Sequence, residues 1–512
     1  MKLSKLSLAI VAVMGAGYFA EAVALDLYVD EKTKQIFAEP GPGRTKLGSF
    51  EKVEDSAKQK ADLTAIQTDL ELKTNELKAI EEHIVAQRED KAKNDEKWFN
   101  KINMRGYTQL RYNQPLSGDR ASDTSSTPPG TDPELTSVGD RSIGNNQGFF
   151  LRRVRLVFSG DINDYISLYL QPDFATNAAT SSSNVDLHFA QLRDAYADIA
   201  FDKPHEYRIR AGQSKVPFGW ENLQSSQNRL TLDRADALNS AVPSERDLGL
   251  FAYWTPSEVQ KVWKDLTKKG LKTSGDYGVL GVGVYNGQSV NKAEANDNLY
   301  LVAHSTYPFD LGFLGSAMRG QVLEVGADVM SGRFTMNPAA YSNPYDNVTA
   351  TVTPTNGSNF SISEDRVGVH AVLFPQPFGL QAEWNWGAGP TLNPNRDLSP
   401  TAGIQGVIER QNLNGGYVQA MYKIDDVFGT KGTMIPYVKW QTYNGAWKGA
   451  TNAPRVDMDE LEAGIEYQIF KALELTVAYS SMNRTNVSSA SSADYLRQAS
   501  GDLIRTQIQF NY

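Results

Sequence analysis

"FFLRRVRLVFSG", Phe149 to Gly160, sets large apolar side chains against arginines and small polar groups at alternate positions. A period of two marks an extended strand whose two faces meet different surroundings. Guanidinium groups on one face and unbroken apolar surface on the other suit a transmembrane barrel, in which one face meets lipid and the other an aqueous lumen. On that reading Phe150, Val154, Leu156 and Phe158 face lipid, while Arg153, Arg155 and Ser159 face inward. Arg152 falls on the lipid parity. It is expected near the interface with its head group snorkelling out, because an arginine at the bilayer midplane costs about 2–4 kcal/mol.

The same grammar extends along the chain. In "LIRTQIQFNY", Ile504, Thr506, Ile508, Phe510 and Tyr512 form one face and Arg505, Gln507, Gln509 and Asn511 the other. "ELEAGIEYQI" turns Glu460, Glu462, Glu466 and Gln468 inward, and "YVKWQTY" does so with Tyr437, Lys439, Gln441 and Tyr443. Trp384, Trp386, Trp440 and Tyr512 sit toward strand ends, as interfacial aromatic girdles require. From Lys101 onward about sixteen such segments follow one another, the last beginning near Gly501. Their connections alternate between short (Gly160 to Asp164, Asp202 to His205, Phe470 to Ala472) and long (Gln114 to Gly148, Pro217 to Asp247, Ser331 to Glu364, Pro390 to Asn412). Thr255 to Asp276 is unusually long for the short-turn side. The fold class is therefore an all-β, 16-stranded antiparallel transmembrane barrel over residues 101–512, preceded by a coiled-coil helix.

Upstream, Lys2 and Lys5 precede the apolar run Leu6 to Phe19, and Ala22-Val23-Ala24 fits a signal-peptidase site, so residues 1–24 read as a signal peptide. The chain contains no cysteine, which excludes disulfides and thiolate chemistry. Leu25 to Phe50 suggests a short hairpin segment. Glu51 to Lys97 is rich in Ala, Glu, Lys and Leu, with Leu63, Leu70, Leu77 and Ile84 spaced by seven and Ile66 and Ile80 three residues beyond. Leucine at a with isoleucine at d favours coils of three or four strands. Lys73, Gln87 and Lys91 interrupt the seam, and a solitary surface helix is the competing reading.

Parity also distributes charge. Arg105, Arg111, Arg153, Arg155, Arg208, Arg210 and Arg505 are expected on the lumenal face, and closure of the barrel places Arg505 beside the first strand. Glu324, Asp328, Glu383, Glu460, Glu462 and Glu466 line the facing wall, giving a transverse field that orients permeant molecules. The Pro217 to Asp247 loop is the candidate constriction. Its cations are Arg229, Arg234 and Arg246, with Lys215 just before it. The five histidines, His83, His188, His205, His304 and His370, are scattered and no H-E-x-x-H or G-x-S-x-G motif occurs, so no catalytic site, metal or cofactor is expected. "NKAEANDN" (Asn291 to Asn298) lacks the glycine and terminal glutamate of a calcium loop and reads as a solvated tip. The net charge of −9 argues against nucleic acid as a partner.

"FFLRRVRLVFSGDI", "LRDAYADI" (Leu192 to Ile199), "AGQSKVPFGWENL" (Ala211 to Leu223), "ERDLGL" (Glu245 to Leu250) and the closing "IRTQIQFNY" together resemble the phosphate-selective porin O and P family over Asn103 to the C-terminus. The resemblance implies a homotrimer of sixteen-stranded barrels in a Gram-negative outer membrane, bedded in lipid and lipopolysaccharide. It implies passive diffusion of small anions such as phosphate past an arginine ladder, and carries over Arg152, Arg153, Arg155 and Lys215. The helical extension, held in the periplasm, and the many lumenal carboxylates depart from the shortest family pattern. A general or dicarboxylate-type trimeric porin therefore stays open. So does an envelope-tethering barrel whose coil contacts the cell wall.

Overall fold

The computed structural model describes residues 25–50, 53–95, 97–117, 119–121, 143, 147–178, 186–336, 360–394, 406–429, 432–449, 453, 455–486 and 497–512. The predicted signal peptide, and much of three of the long loops, lie outside them.

Contacts divide the chain at Glu96/Lys97 into two units. In the first, β1 (Leu25–Asp30), β2 (Ile36–Phe37) and β3 (Arg44–Phe50) form an antiparallel sheet in the order β2-β1-β3, so the expected hairpin gains a third strand. Helix α1 follows over Val53–Asp95, in a stretch free of glycine and proline. Leu63, Ile66, Leu70, Leu77, Ile80 and Ile84 are all exposed on it and form an apolar stripe.

The second unit is a closed antiparallel barrel. In chain order its strands are β4 (Asn103–Pro115), the short β5 (Asp119–Ala121), β6 (Gly148–Asp161), β7 (Ile166–Ala178), β8 (Asp186–Ala200), β9 (Tyr207–Lys215), β10 (Arg246–Trp254), β11 (Leu280–Tyr285) and β12 (Tyr300–Asp310). There follow β13 (Val322–Met336), β14 (Phe360–Leu373), β15 (Phe378–Pro394), β16 (Gly406–Tyr422), the short β17 (Ile424–Val427), β18 (Gly432–Ala446), β19 (Arg455–Phe470), β20 (Leu473–Asn486) and β21 (Arg497–Asn511). With β5 and β17 set aside as short additions to the ladder, sixteen strands remain. The barrel closes where β21 pairs with β4, from Leu503↔Pro115 to Asn511↔Tyr107. Closure leaves no strand edge to face hydrocarbon with unpaired N–H and C=O groups. Leu250, Val282, Leu301, Val329, Val367, Leu461 and Ile504 stay exposed on the outer face, while Arg111, Glu324, Glu383 and Gln509 on the other face are buried.

In β6 the structure corrects the expected parity. Gln109 pairs with Arg153 but Leu110 pairs with Leu151, which makes Arg152 an extra residue, a β-bulge. Beyond it the faces exchange. Phe150 lies opposite the inward Arg111 rather than on the lipid side, and Phe149 packs outside against Tyr112 at 4.7 Å between centroids. Arg152 does not snorkel outward: its Nη2 lies 3.4 Å from Asp233 of the loop between β9 and β10. The bulge thus turns two consecutive arginines toward the lumen.

The long Thr255 to Asp276 connection holds helix α2 (Ser257–Lys268), which buries Val259, Trp263 and Leu266 against Trp220, Val322, Val372 and Phe374. Their spacing of three and four residues is that of one helical face.

Candidate functional site

Val216 to Glu245 leaves β9 and crosses the lumen, and its backbone and side chains bond to β4, β6, β13, β14, β15, β18, β20 and β21. The turn that aims it inward is the "GWE" of the motif. Gly219 has φ 85°, and a Cβ there would stand 3.0 Å from Glu383 Oε1, so both conformation and space call for glycine. Three successive N–H groups then meet wall carboxylates. Gly219 donates to Asp328 Oδ2 (3.1 Å), Trp220 to Glu383 Oε1 (2.6 Å) and Glu221 to Glu383 Oε2 (3.0 Å). Glu383 thereby satisfies the free N–H groups that open the short helix Trp220–Leu223. Lys215 Nζ closes its other end by donating to the carbonyls of Asn222 (3.0 Å), Leu223 (3.1 Å) and Gln224 (2.6 Å). The Trp220 indole N–H reaches Glu324 Oε1 at 2.8 Å, and that of Trp263 on α2 reaches Oε2 at 2.9 Å.

The acidic wall is therefore largely engaged. Glu324, Asp328 and Glu383 hold the root of the loop. Glu460 pairs with Arg484, whose Nη1 also lies 3.2 Å from Asp236, and Glu466 pairs with Lys272 at 2.7 Å. Glu462 takes Arg505 at 3.5 Å and the Tyr437 hydroxyl at 2.9 Å.

The basic wall has a different balance. Two loop carboxylates each serve several cations. Asp233 meets Arg111 (3.1 Å), Arg152 (3.4 Å) and Arg505, joining β4, β6 and β21. Glu245 meets Lys215 (3.8 Å), Arg229 (3.3 Å), Arg234 (2.9 Å) and Arg246, of which Arg246 has a second carboxylate, Asp194, at 2.9 Å. Beside this hub stand Arg153 and Arg193, which have no carboxylate within ion-pairing distance among the described residues. Arg153 Nη1 donates to Gln109 Oε1 at 2.7 Å; Arg193 donates to Gln191 Oε1 and the Ser244 carbonyl at 3.3 and 3.1 Å. Among the described residues the Nε–H groups of Arg153, Arg193 and Arg229 meet no acceptor. Four cations against Glu245 and Asp194, with two arginines added, leave a local excess of four positive charges.

The remaining residues of the expected ladder differ in kind. Arg155 is neutralised by Asp173 at 2.7 Å and also donates to Tyr107 and Ser226. Arg208 pairs with Asp276 at 2.7 Å. Arg210 forks onto Asp198 at 2.7 and 2.8 Å and lies 4.0 Å over the Tyr196 ring, so both brace the wall. Arg105 is exposed, 3.5 Å from Gln227 of the loop. It lines a lumenal cavity of about 340 Å³ with Lys215, Arg246, Tyr169 and Tyr277. The structure thus brings Arg111, Arg152 and Arg505 together on one hub and Lys215, Arg229, Arg234 and Arg246 on another. Arg193, absent from the sequence-based set, belongs with the second. It too is a bulge residue, since Gln171 pairs with Asp194 and Pro172 with Leu192. The signal was present in "LRDAYADI", where two charged residues stand side by side in an alternating strand.

A search among curated proteins gives no match. Among solved structures the chain is similar to OmpF of Salmonella typhi in complex with daunomycin (13% identity, 80% of this chain and 97% of that one, TM-score 0.45). It is also similar to an anion-selective porin from Comamonas acidovorans (9%, 80% and 99%, 0.41) and to the trimer form of OmpT, an outer membrane protein of Vibrio cholerae (10%, 80% and 99%, 0.39). The model of the family described as phosphate-selective porin O and P matches residues 132–512, from the loop before β6 through the closing strand. The chain is an outer-membrane β-barrel channel and belongs to the phosphate-selective porin O and P family.

Proposed function

We propose that this channel passes small anions, phosphate among them, and that selection takes place at the cluster around Glu245. The observation that carries the reading is the charge surplus there: one carboxylate shared by four cations, next to Arg153 and Arg193 with none. Burying cations without counter-charge is costly, and a mobile anion entering from solution lowers that cost each time it arrives. Guanidinium N–H groups in forks match the oxygens of phosphate and carboxylate, and a series of them lets an anion move on as fast as it is bound. The loop supplies part of the cluster and narrows the lumen, so anions are brought against these side chains.

Two further parts of the reading rest on the first unit. The exposed leucine and isoleucine stripe of α1 is covered by two more copies of itself, making a trimer, and the short-turn end of the barrel, with the chain termini, faces the periplasm. Residues 1–24 act as the export signal.

The test is reversal potential in planar bilayers under salt gradients of phosphate, a dicarboxylate and chloride. Anion preference that weakens in Arg153→Ala/Arg193→Ala supports the reading; cation preference in the wild type sinks it.

A further inference from the structure

Two of the histidines scattered in sequence meet in space. His304 on β12 and His370 on β14 flank Asp328 of β13, their ring centroids 6.2 Å apart. Asp328, His370 and Glu383, on the adjacent strands β13, β14 and β15, each present one ligand atom, and these atoms lie within 4.8 Å of one another. The side chains of Asp328 and His370 are 1% and 0% exposed, and Glu383 is buried.

His370 Nε2 is held by Thr306 Oγ1, 3.0 Å away. The single hydroxyl hydrogen of Thr306 has Glu324 Oε1 (3.2 Å) and the Val325 carbonyl (3.4 Å) within reach as well. When it goes to either oxygen, Thr306 accepts from His370 Nε2–H and the ring's lone pair is on Nδ1, the tautomer a metal-bound imidazole needs. Among the described residues Nδ1 is buried and without a hydrogen-bond partner. It faces Asp328 Oδ2 at 3.9 Å. In that tautomer the Nδ1 lone pair and the carboxylate oxygen repel each other unless a cation stands between them. That separation is too long for an N–H···O bond. It suits two ligands on one ion, each about 2.0–2.2 Å from it. Charge agrees with geometry: Glu324, Asp328 and Glu383 are buried together, His304 Nδ1 meets only the other oxygen of Asp328, Oδ1, and among the described residues no lysine or arginine lies within ion-pairing distance of any of the three.

We propose that Asp328, His370 and Glu383 hold a divalent metal ion of the zinc class, contrary to the expectation of no metal. Imidazole with carboxylates suits zinc, nickel or iron(II) and disfavours copper(I), and the Thr306 contact fixes the ring as a supporting partner does at other metal sites. Gly219 donates to Asp328 Oδ2 and Trp220 to Glu383 Oε1, and each of these two oxygens keeps a lone pair for the ion, while Glu383 Oε2 is taken by Glu221 N–H and the Tyr417 hydroxyl. The ion would therefore lock three strands to the root of the loop. This goes beyond the transport reading, and its readout is metal binding, so failure of anion selectivity leaves it standing.

The test uses the full-length protein in detergent near neutral pH, stripped with a chelator and titrated with zinc in a calorimeter. The wild type is expected to take up about one zinc per chain in the micromolar range or tighter, with a rise of several degrees in its unfolding temperature; His370→Gln loses both. A wild type that takes up no zinc, or a His370→Gln protein that binds it equally, overturns the proposal. X-ray absorption at the zinc edge of the loaded wild type needs no variant: imidazole together with carboxylate supports the site, and any other ligand set overturns it.

Discussion

The two walls of the lumen carry charges of the same parity and treat them differently. On β13 to β15, Glu324, Asp328 and Glu383 are taken up by N–H groups of the loop and of α2. On β6 to β10 the loop contributes cations of its own and too few carboxylates to balance them. One wall anchors the loop, and the other carries the cations on which the proposed selection rests. Facing the lumen is thus not the same as being available to a solute. The transverse field expected from parity keeps its sign on both walls, but the acids opposite are tied to the loop by neutral N–H donors and are not free to turn toward a solute.

The hardest test of this contrast removes the two arginines without carboxylate partners. Hydrogen bonds to a charged partner contribute about 1.5–3 kcal/mol each, or roughly tenfold or more in affinity. Arg153→Ala/Arg193→Ala is expected to weaken phosphate binding on the order of a hundredfold, read from the phosphate concentration that half-saturates conductance. Retention of wild-type saturation would mean that the surplus charge lies elsewhere. Asp233→Asn sharpens the contrast in the opposite direction. It removes the carboxylate shared by Arg111, Arg152 and Arg505, and anion preference should rise by roughly fivefold to tenfold if each gained contact contributes about 1–1.5 kcal/mol. A fall in anion preference would show that loop position outweighs charge.

On the acidic wall the expectation is for stability to change and selectivity to hold. Glu383→Gln weakens the acceptor of two loop N–H groups and should cost about 1–3 kcal/mol, seen as a lower unfolding temperature in detergent. Its reversal potential should match the wild type. A change of selectivity as large as that of the arginine variants would erase the distinction between the walls.

Most of the barrel was legible because period two is a direct consequence of strand geometry. Arg505, Gln507 and Gln509 are buried between exposed Ile504 and Phe510, as alternation requires. Bulges are where that logic breaks, and the two that turn arginines toward the lumen fall at charged doublets, Arg152-Arg153 and Arg193-Asp194. A doublet inside an alternating strand cannot place both residues on one face unless an extra residue enters the ladder, so the doublet itself is the sign. The partners of each arginine were not legible. Asp233 and Glu245 reach their cations only because the loop crosses the lumen, and the residues that fold it inward, Gly219 and Glu383, are 164 positions apart. The β12/β14 histidine pair was hidden in the same way, by a strand and a loop lying between the two in sequence.

The smallest expected effect on permeation concerns the first unit, where the apolar stripe of α1 is exposed. Leu70→Lys/Leu77→Lys places charge at two successive a positions of the proposed coil. A buried lysine in such a seam must either lose its hydration or splay the helices, so the coil should come apart. The mass of the detergent-solubilised particle, measured by light scattering, should fall if the coil holds the copies together. Conductance and reversal potential per barrel should stay at wild-type values, since the hubs around Asp233 and Glu245 are built from residues of the barrel unit. An unchanged mass would show that contacts between barrels suffice for assembly and that the stripe serves another partner. Altered selectivity with an unchanged mass would mean instead that the helix reaches the pathway.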